Sequence, residues 1–275
     1  MNYEISKKNI IIDAKDFDLE QTLDCGQAFR WEKVGNNVFE GIAKGRFLRI
    51  SSKDGKIIFH NTSLQDFEQI WIEYFDLDTD YCAIKQKLCA DKTLSVACDY
   101  AGGIRILRQD AWETVCSFII SQNNNIPRIK GIIARLCENF GQKIDGGYAF
   151  PTAQALCDKS IEDLAPLRAG FRAKYIIDAA QKFADNQIVC DEILSSELEL
   201  ARNILMKIKG VGPKVADCAL LFGFYKLDAF PKDVWIKRVM EKYYPDGLPE
   251  FAVEYGGIAQ QYLFHYERMV GKDEK

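Results

Sequence analysis

Residues 198–240 read LELARNILMKIKGVGPKVADCALLFGFYKLDAFPKDVWIKRVM, and this stretch decides the fold. Ala201, Ile204, Leu205 and Ile208 recur at helical spacing up to Gly210-Val211-Gly212. Pro213 then opens a second apolar helix through Val215, Ala216, Ala219 and Leu220. The pattern predicts a helix-hairpin-helix. Gly210 and Gly212 leave the turn free of side chains, so its backbone N–H groups, aided by the positive end of the second helix, can approach a nucleic-acid phosphate. An ordinary antiparallel helix pair closed by a glycine turn fits the same pattern, and the hairpin alone does not separate the two. The lysine within it, Lys214, favours the first.

The rest of the chain bounds the answer. Its 275 residues, 48% hydrophobic and 28% charged, predict one or two globular domains with a sizeable core. No apolar run approaches the roughly 20 residues that span a bilayer. The N-terminus MNYEISKKNIIIDAKDF has no signal-peptide core, so an intracellular protein, in cytoplasm, nucleoid or nucleus, is expected. Nine cysteines stand singly without a CxxC, which predicts neither a zinc site nor a disulfide framework. The net charge of -4 argues against a nucleic-acid binder, but its distribution does not. Between Arg202 and Arg238 eight Lys or Arg stand against three Asp. Lys207 and Lys209 fit a merely solvated helix surface as well as a basic binding face.

Taken in order, residues up to about Asn61 predict a small antiparallel sheet, with strands at Asn37–Ala43, Arg46–Ile50 and Lys56–His60 separated by turn residues. Ser63 caps a helix with Asp66 three residues on and Phe67, Ile70, Trp71 and Tyr74 on one side. Ala101-Gly102-Gly103 is the expected boundary, dividing a sheet domain, 1–101, from a helical domain, 102–275. Beyond it the pattern predicts helices over Ala111–Ile120, Pro127–Phe140, Asp158–Arg168 and Ala173–Asn186. The hairpin follows, then a helix from Asp233 and a last one over Phe251–Met269. The fold class is α+β.

Lys214 stands at the first turn of a helix, the end that lysine disfavours. An amine attacks carbon only when neutral, and a helix N-terminus, partial burial and neighbouring cations all favour the neutral form. A lysine reaching out to a phosphate fits the position too. Asp233, nineteen positions on and following Phe230-Pro231-Lys232, begins a helix. As an N-cap it contributes about 1 kcal/mol. A cap leaves one carboxylate oxygen free, so the same residue can face a developing sugar cation.

Gly210-Val211-Gly212-Pro213-Lys214 followed by Pro231-Lys232-Asp233 resembles the helix-hairpin-helix, Gly/Pro-rich loop, Asp (HhH-GPD) superfamily of DNA glycosylases. The closer resemblance is to the 8-oxoguanine DNA glycosylases: CGQAFRW, SQNNNIPR, AGFRAKY, VGPKVADC and AQQYLF stand in that family's order across nearly the whole chain. The resemblance implies a bifunctional glycosylase/AP lyase acting as a monomer on double-stranded DNA containing 8-oxoguanine. It implies no metal and no cofactor. Lys214 would displace the damaged base at C1′ through a Schiff base, and Asp233 would stabilise the cationic transition state. Such chemistry needs the base extruded from the duplex. Phe171 would then fill the vacated site, while Asn123, Arg128 and Arg172 would contact the orphaned cytosine. Gly26 would offer its carbonyl to the lesion's N7–H, a donor that guanine lacks. Cys218 and Phe264 would lie against the base and Gln260 at its pairing edge. The bland roles fit these residues as well: Phe171, Cys218 and Phe264 as core, Arg172 as a phosphate contact, and Asn124 and Asn125 as a turn and helix cap.

Two departures stand out. Trp235 occupies a position where the family often has histidine, which implies looser preference for the base opposite the lesion. No cysteine follows Cys218, which excludes the four-cysteine iron-sulfur cluster of related branches. Two rival classes remain: a monofunctional glycosylase for another damaged base, with Lys214 binding phosphate, and a non-enzymatic DNA-binding module.

Overall fold

The computed structural model describes residues 2–270. Six antiparallel strands form the N-terminal sheet: β1 Glu4–Ser6, β2 Asn9–Asp13, β3 Trp31–Gly35, β4 Val38–Ala43, β5 Arg46–Lys53 and β6 Lys56–His60, in spatial order β1-β2-β6-β5-β4-β3. The Lys44-Gly45 and Asp54-Gly55 turns have positive φ at both residues, the geometry that joins twisted strands by two residues. Ile10, Ile12, Leu48, Ile50, Ile57 and Phe59 alternate along their strands and are buried. They pack against Phe67, Trp71, Tyr74 and Phe75, on the helical segment that Ser63 caps by accepting from the Asp66 N–H. Three strands exceed expectation: β1, β2 and β3 add pairings on both sides of the predicted meander.

A second core holds the helices. Ala111–Ser121, Ile126–Phe140 and Ala173–Ala184 form close to expectation, and Asn125 caps the second of them by accepting from the Arg128 N–H. The helices Tyr81–Leu88 and Lys92–Ala101 pack into this core, whereas Leu107 packs into that of the sheet. The two cores therefore cross over on either side of residue 101 in sequence.

Two predicted helices are corrected. Asp158–Arg168 is a run of turns ending in a 3-10 helix, Ala165–Leu167, and the α-helix of this region lies earlier, at Ala153–Cys157. Pro166 brings no N–H to an α-helical ladder, Arg168 stops the turn at φ +55°, and Arg135 occupies the Leu167 carbonyl with two N–H donors. The Phe251–Met269 stretch divides into Glu250–Val253 and Gly256–Val270. The division lets the Gly257 N–H donate to the Leu227 carbonyl, and a side chain at 257 would meet Leu221 Cδ1 at 2.2 Å.

Arg30 and Glu113 join the two parts, 3.3 Å apart. Burial pushes the Glu113 carboxyl up to about 7, against the opposing charge of Arg30. A carboxyl raised above its ordinary value near 4.3 contributes stability that is complete below that value and is lost as pH rises through the folded one. Thermal unfolding at about pH 5 and pH 8 should therefore show wild type losing stability relative to Glu113→Gln as pH rises. A gap that stays constant or moves the other way would contradict the assignment.

Candidate active site

The hairpin forms as its sequence dictates. Its first helix, Leu198–Leu205, and second, Pro213–Gly223, pack their apolar faces into the helical core. Arg202 on the first donates to Asp217 on the second at 2.6 Å. The turn is held from outside: Asp178, in helix Ala173–Ala184, accepts from the Lys209 N–H at 2.8 Å and is paired with Lys182. Burial opposes the Asp178 charge, but these donors hold its carboxyl below the usual carboxylate range. No side chain caps the second helix, so its first N–H groups are left for a ligand or water.

The two hairpin glycines serve different ends. Gly210 has φ +78°, and a Cβ there would lie 2.5 Å from the Tyr175 ring. Gly212 has φ -100° and ψ -179°, which any residue adopts, and a Cβ there meets nothing within 4 Å. Gly210→Ala should cost about 1–3 kcal/mol of stability in denaturant unfolding. Gly212→Ala should keep the stability and weaken duplex binding if, as expected, a phosphate approaches the hairpin N–H groups where the methyl would stand. Equal effects of the two on both measurements would refute this division.

Lys214 and Asp233 converge on one cleft, lined also by Gly26, Cys218, Gln260 and Phe264. Those are the six residues that the resemblance assigns to chemistry and base contact. Lys214 and Cys218 stand one helical turn apart on the second hairpin helix. Lys214 Nζ lies 5.4 Å from the centroid of Phe118, whose ring stacks on Phe222. Burial pushes the Cys218 thiol up to about 11, with the charge of Lys214 opposing. Asp233 Oδ1 caps helix Val234–Tyr243, accepting from the N–H groups of Trp235 at 3.0 Å and Ile236 at 2.8 Å. Its other oxygen takes no part in the cap.

The remaining walls come from distant segments. Gly26, at φ +87°, has a backbone open to glycine without strain. Its loop is anchored by Gln27, which is 1% exposed, donates to the carbonyls of Thr22 and Arg105 and accepts from the Leu107 N–H. Gln260 and Phe264 stand one turn apart on helix Gly256–Val270. Sequence reasoning missed Cys25, Phe118, Phe222, Pro231 and Gln261 as lining residues, because apolar core side chains carry no separate signal and nothing local marks the Gln261 amide as facing a cleft.

Outside the cleft, Asn123 is exposed at φ +47° and Arg128 is exposed at the start of its helix. Phe171, 49% exposed, stands edge-on to Tyr175 beneath the Arg172 guanidinium. Arg172 itself is 3% exposed and spends its donors on the carbonyls of Gln122, Asn123 and Ala169. In this structure it therefore holds the Asn123 loop and faces no solvent. Trp235 is half-buried, with Arg238 over its ring. Lys207, Lys209, Lys232, Lys237 and Arg238 are exposed, whereas Arg202 and Lys226 are engaged within the protein.

Two family models match in succession: the 8-oxoguanine DNA glycosylase N-terminal domain over residues 9–115, and the HhH-GPD superfamily base excision DNA repair protein over 116–247. The N-glycosylase/DNA lyase of Saccharomyces cerevisiae is 32% identical over 89% of this chain and 72% of its own length. Among solved structures, MBOgg1 in complex with a low affinity DNA ligand has a TM-score of 0.90 at 42% identity, covering 98% of this chain and 99% of that one. The Clostridium acetobutylicum 8-oxoguanine glycosylase/lyase, in complex with double-stranded DNA containing cytosine opposite 8-oxoG, has a TM-score of 0.90 at 36% identity, with coverage of 98% and 99%. The chain belongs to the 8-oxoguanine DNA glycosylase family of the HhH-GPD superfamily.

Proposed function

We propose that this protein is an intracellular, monomeric DNA glycosylase and AP lyase that excises 8-oxoguanine from duplex DNA and then cleaves the strand. One observation carries the reading: a single cleft gathers a lysine and a carboxylate suited to sugar chemistry with the groups suited to hold the base. The hairpin N–H groups grip a phosphate, Phe171 fills the gap in the stack, and Asn123 and Arg128 meet the unpaired cytosine. Arg172 supports them by holding the Asn123 loop. The cleft has a volume of about 60 Å³, and its walls move apart as the base enters. Cys218 and Phe264 then flank it. The Gly26 carbonyl accepts from N7–H of the lesion, a contact of about 1–3 kcal/mol that needs extrusion and fit beside it to reject normal guanine.

The chemistry follows from Lys214. Its amine attacks C1′ through the nitrogen lone pair as the glycosidic bond breaks, and the base leaves with the bonding electrons and takes up a proton. Asp233 faces the positive charge that develops on the sugar. Loss of a proton from nitrogen and opening of the ring yield a Schiff base. Removal of a C2′ proton then expels the 3′-phosphate, and hydrolysis frees the lysine. Borohydride trapping on an 8-oxoguanine duplex tests the sequence of events: a covalent adduct supports it, base release without an adduct supports a monofunctional glycosylase, and neither supports a DNA-binding module.

A further inference from the structure

Helix Gly256–Val270 brings two consecutive amides to the cleft. Gln260 and Gln261 both line it and are each 4% exposed. Gln261 Nε2 donates to Gln260 Oε1 at 2.8 Å. Gln261 Oε1 is buried and has no hydrogen-bond partner among the described residues. A buried amide oxygen without a donor is costly and uncommon, and this one belongs to a residue in the wall of the base cleft. Joined by one hydrogen bond, the pair retains an unspent acceptor on Gln261 and a donor group on Gln260. Turning both amides over exchanges the two roles and leaves the same inventory.

We propose that Gln261 is a specificity-determining residue of the base pocket: it fixes the Gln260 amide and supplies the second polar group of a donor–acceptor pair. That pair complements a ring edge with an acceptor beside a donor, as O6 and N1–H are arranged in guanine-type bases. An adenine-type edge has the opposite order, a donor at position 6 and an acceptor at N1. The two amides can follow that reversal only by turning together. The inference rests on the proposed excision of 8-oxoguanine and adds a residue to the reading of its edge.

The test compares wild type with Gln261→Met and Gln261→Leu in three single-turnover assays. These are release of 8-oxoguanine, release of 8-oxoadenine, and strand cleavage at a preformed abasic site, where no base occupies the cleft. Both variants should release 8-oxoguanine about tenfold more slowly, with a smaller effect on 8-oxoadenine. Cleavage at the abasic site should stay within about twofold of wild type, which also reports intact folding. Equal loss in all three assays, equal loss on both lesions, or unchanged release of 8-oxoguanine overturns the role of Gln261. A wild-type protein that cleaves abasic sites but releases no 8-oxoguanine defeats the excision reading instead.

Discussion

Replacing Lys214 by glutamine should abolish the borohydride-trapped adduct and slow release of 8-oxoguanine on the order of a thousandfold or more, because no other primary amine lines the cleft among the described residues. Stability should barely change. Relieving a positive charge from a helix N-terminus gains about 0.3–1 kcal/mol. Losing the cation above the Phe118 ring costs about 0.5–1 kcal/mol, so the two nearly cancel. Duplex affinity should fall at most modestly, since Lys207, Lys209, Lys232 and Lys237 remain exposed. A variant that still forms the adduct would remove Lys214 from the chemistry. One that releases base normally without an adduct would make it a phosphate ligand.

Asp233→Asn separates charge from capping. Asparagine caps a helix about as well as aspartate, so the bonds to the Trp235 and Ile236 N–H groups persist and unfolding should shift by well under about 1 kcal/mol. What disappears is the negative charge proposed to face the sugar. Excision should fall roughly a hundred- to a thousandfold, corresponding to about 2.7–4 kcal/mol of transition-state stabilisation, with duplex binding retained. Asp233→Ala removes the cap as well and should add a stability loss of about 1 kcal/mol. Wild-type turnover in Asp233→Asn would sink the proposed electrostatic role. Destabilisation as large as that of Asp233→Ala would make capping its main duty.

The parts of this molecule legible in sequence are those whose signals are local. Gly210, Gly212, Pro213 and Asp233 mark turn and helix boundaries by their own backbone preferences, and the structure has those boundaries. Resemblance supplied the distant walls, Gly26, Gln260 and Phe264, which no periodicity connects to Lys214. Misreadings arose where tertiary contacts override a local pattern. Ser160 and Asp163 exchange capping bonds that look like the start of a helix, yet Arg135 fastens the chain at Leu167 before one can form. Strand β2 reads as a bare apolar run, and only its pairing with β6 sets which isoleucines face inward. The roles of Asp178 and Gln261 depend on a backbone N–H thirty-one residues away and on an amide orientation, neither of which a sequence displays.

Arg172 joins two elements proposed to face DNA: it follows Phe171 in the chain and donates to the Asn123 carbonyl across forty-nine residues. The proposed wedge and the proposed probe of the opposite base are thereby tied together by one side chain. On the proposed reading, a displacement of either element would be passed to the other through this single buried guanidinium.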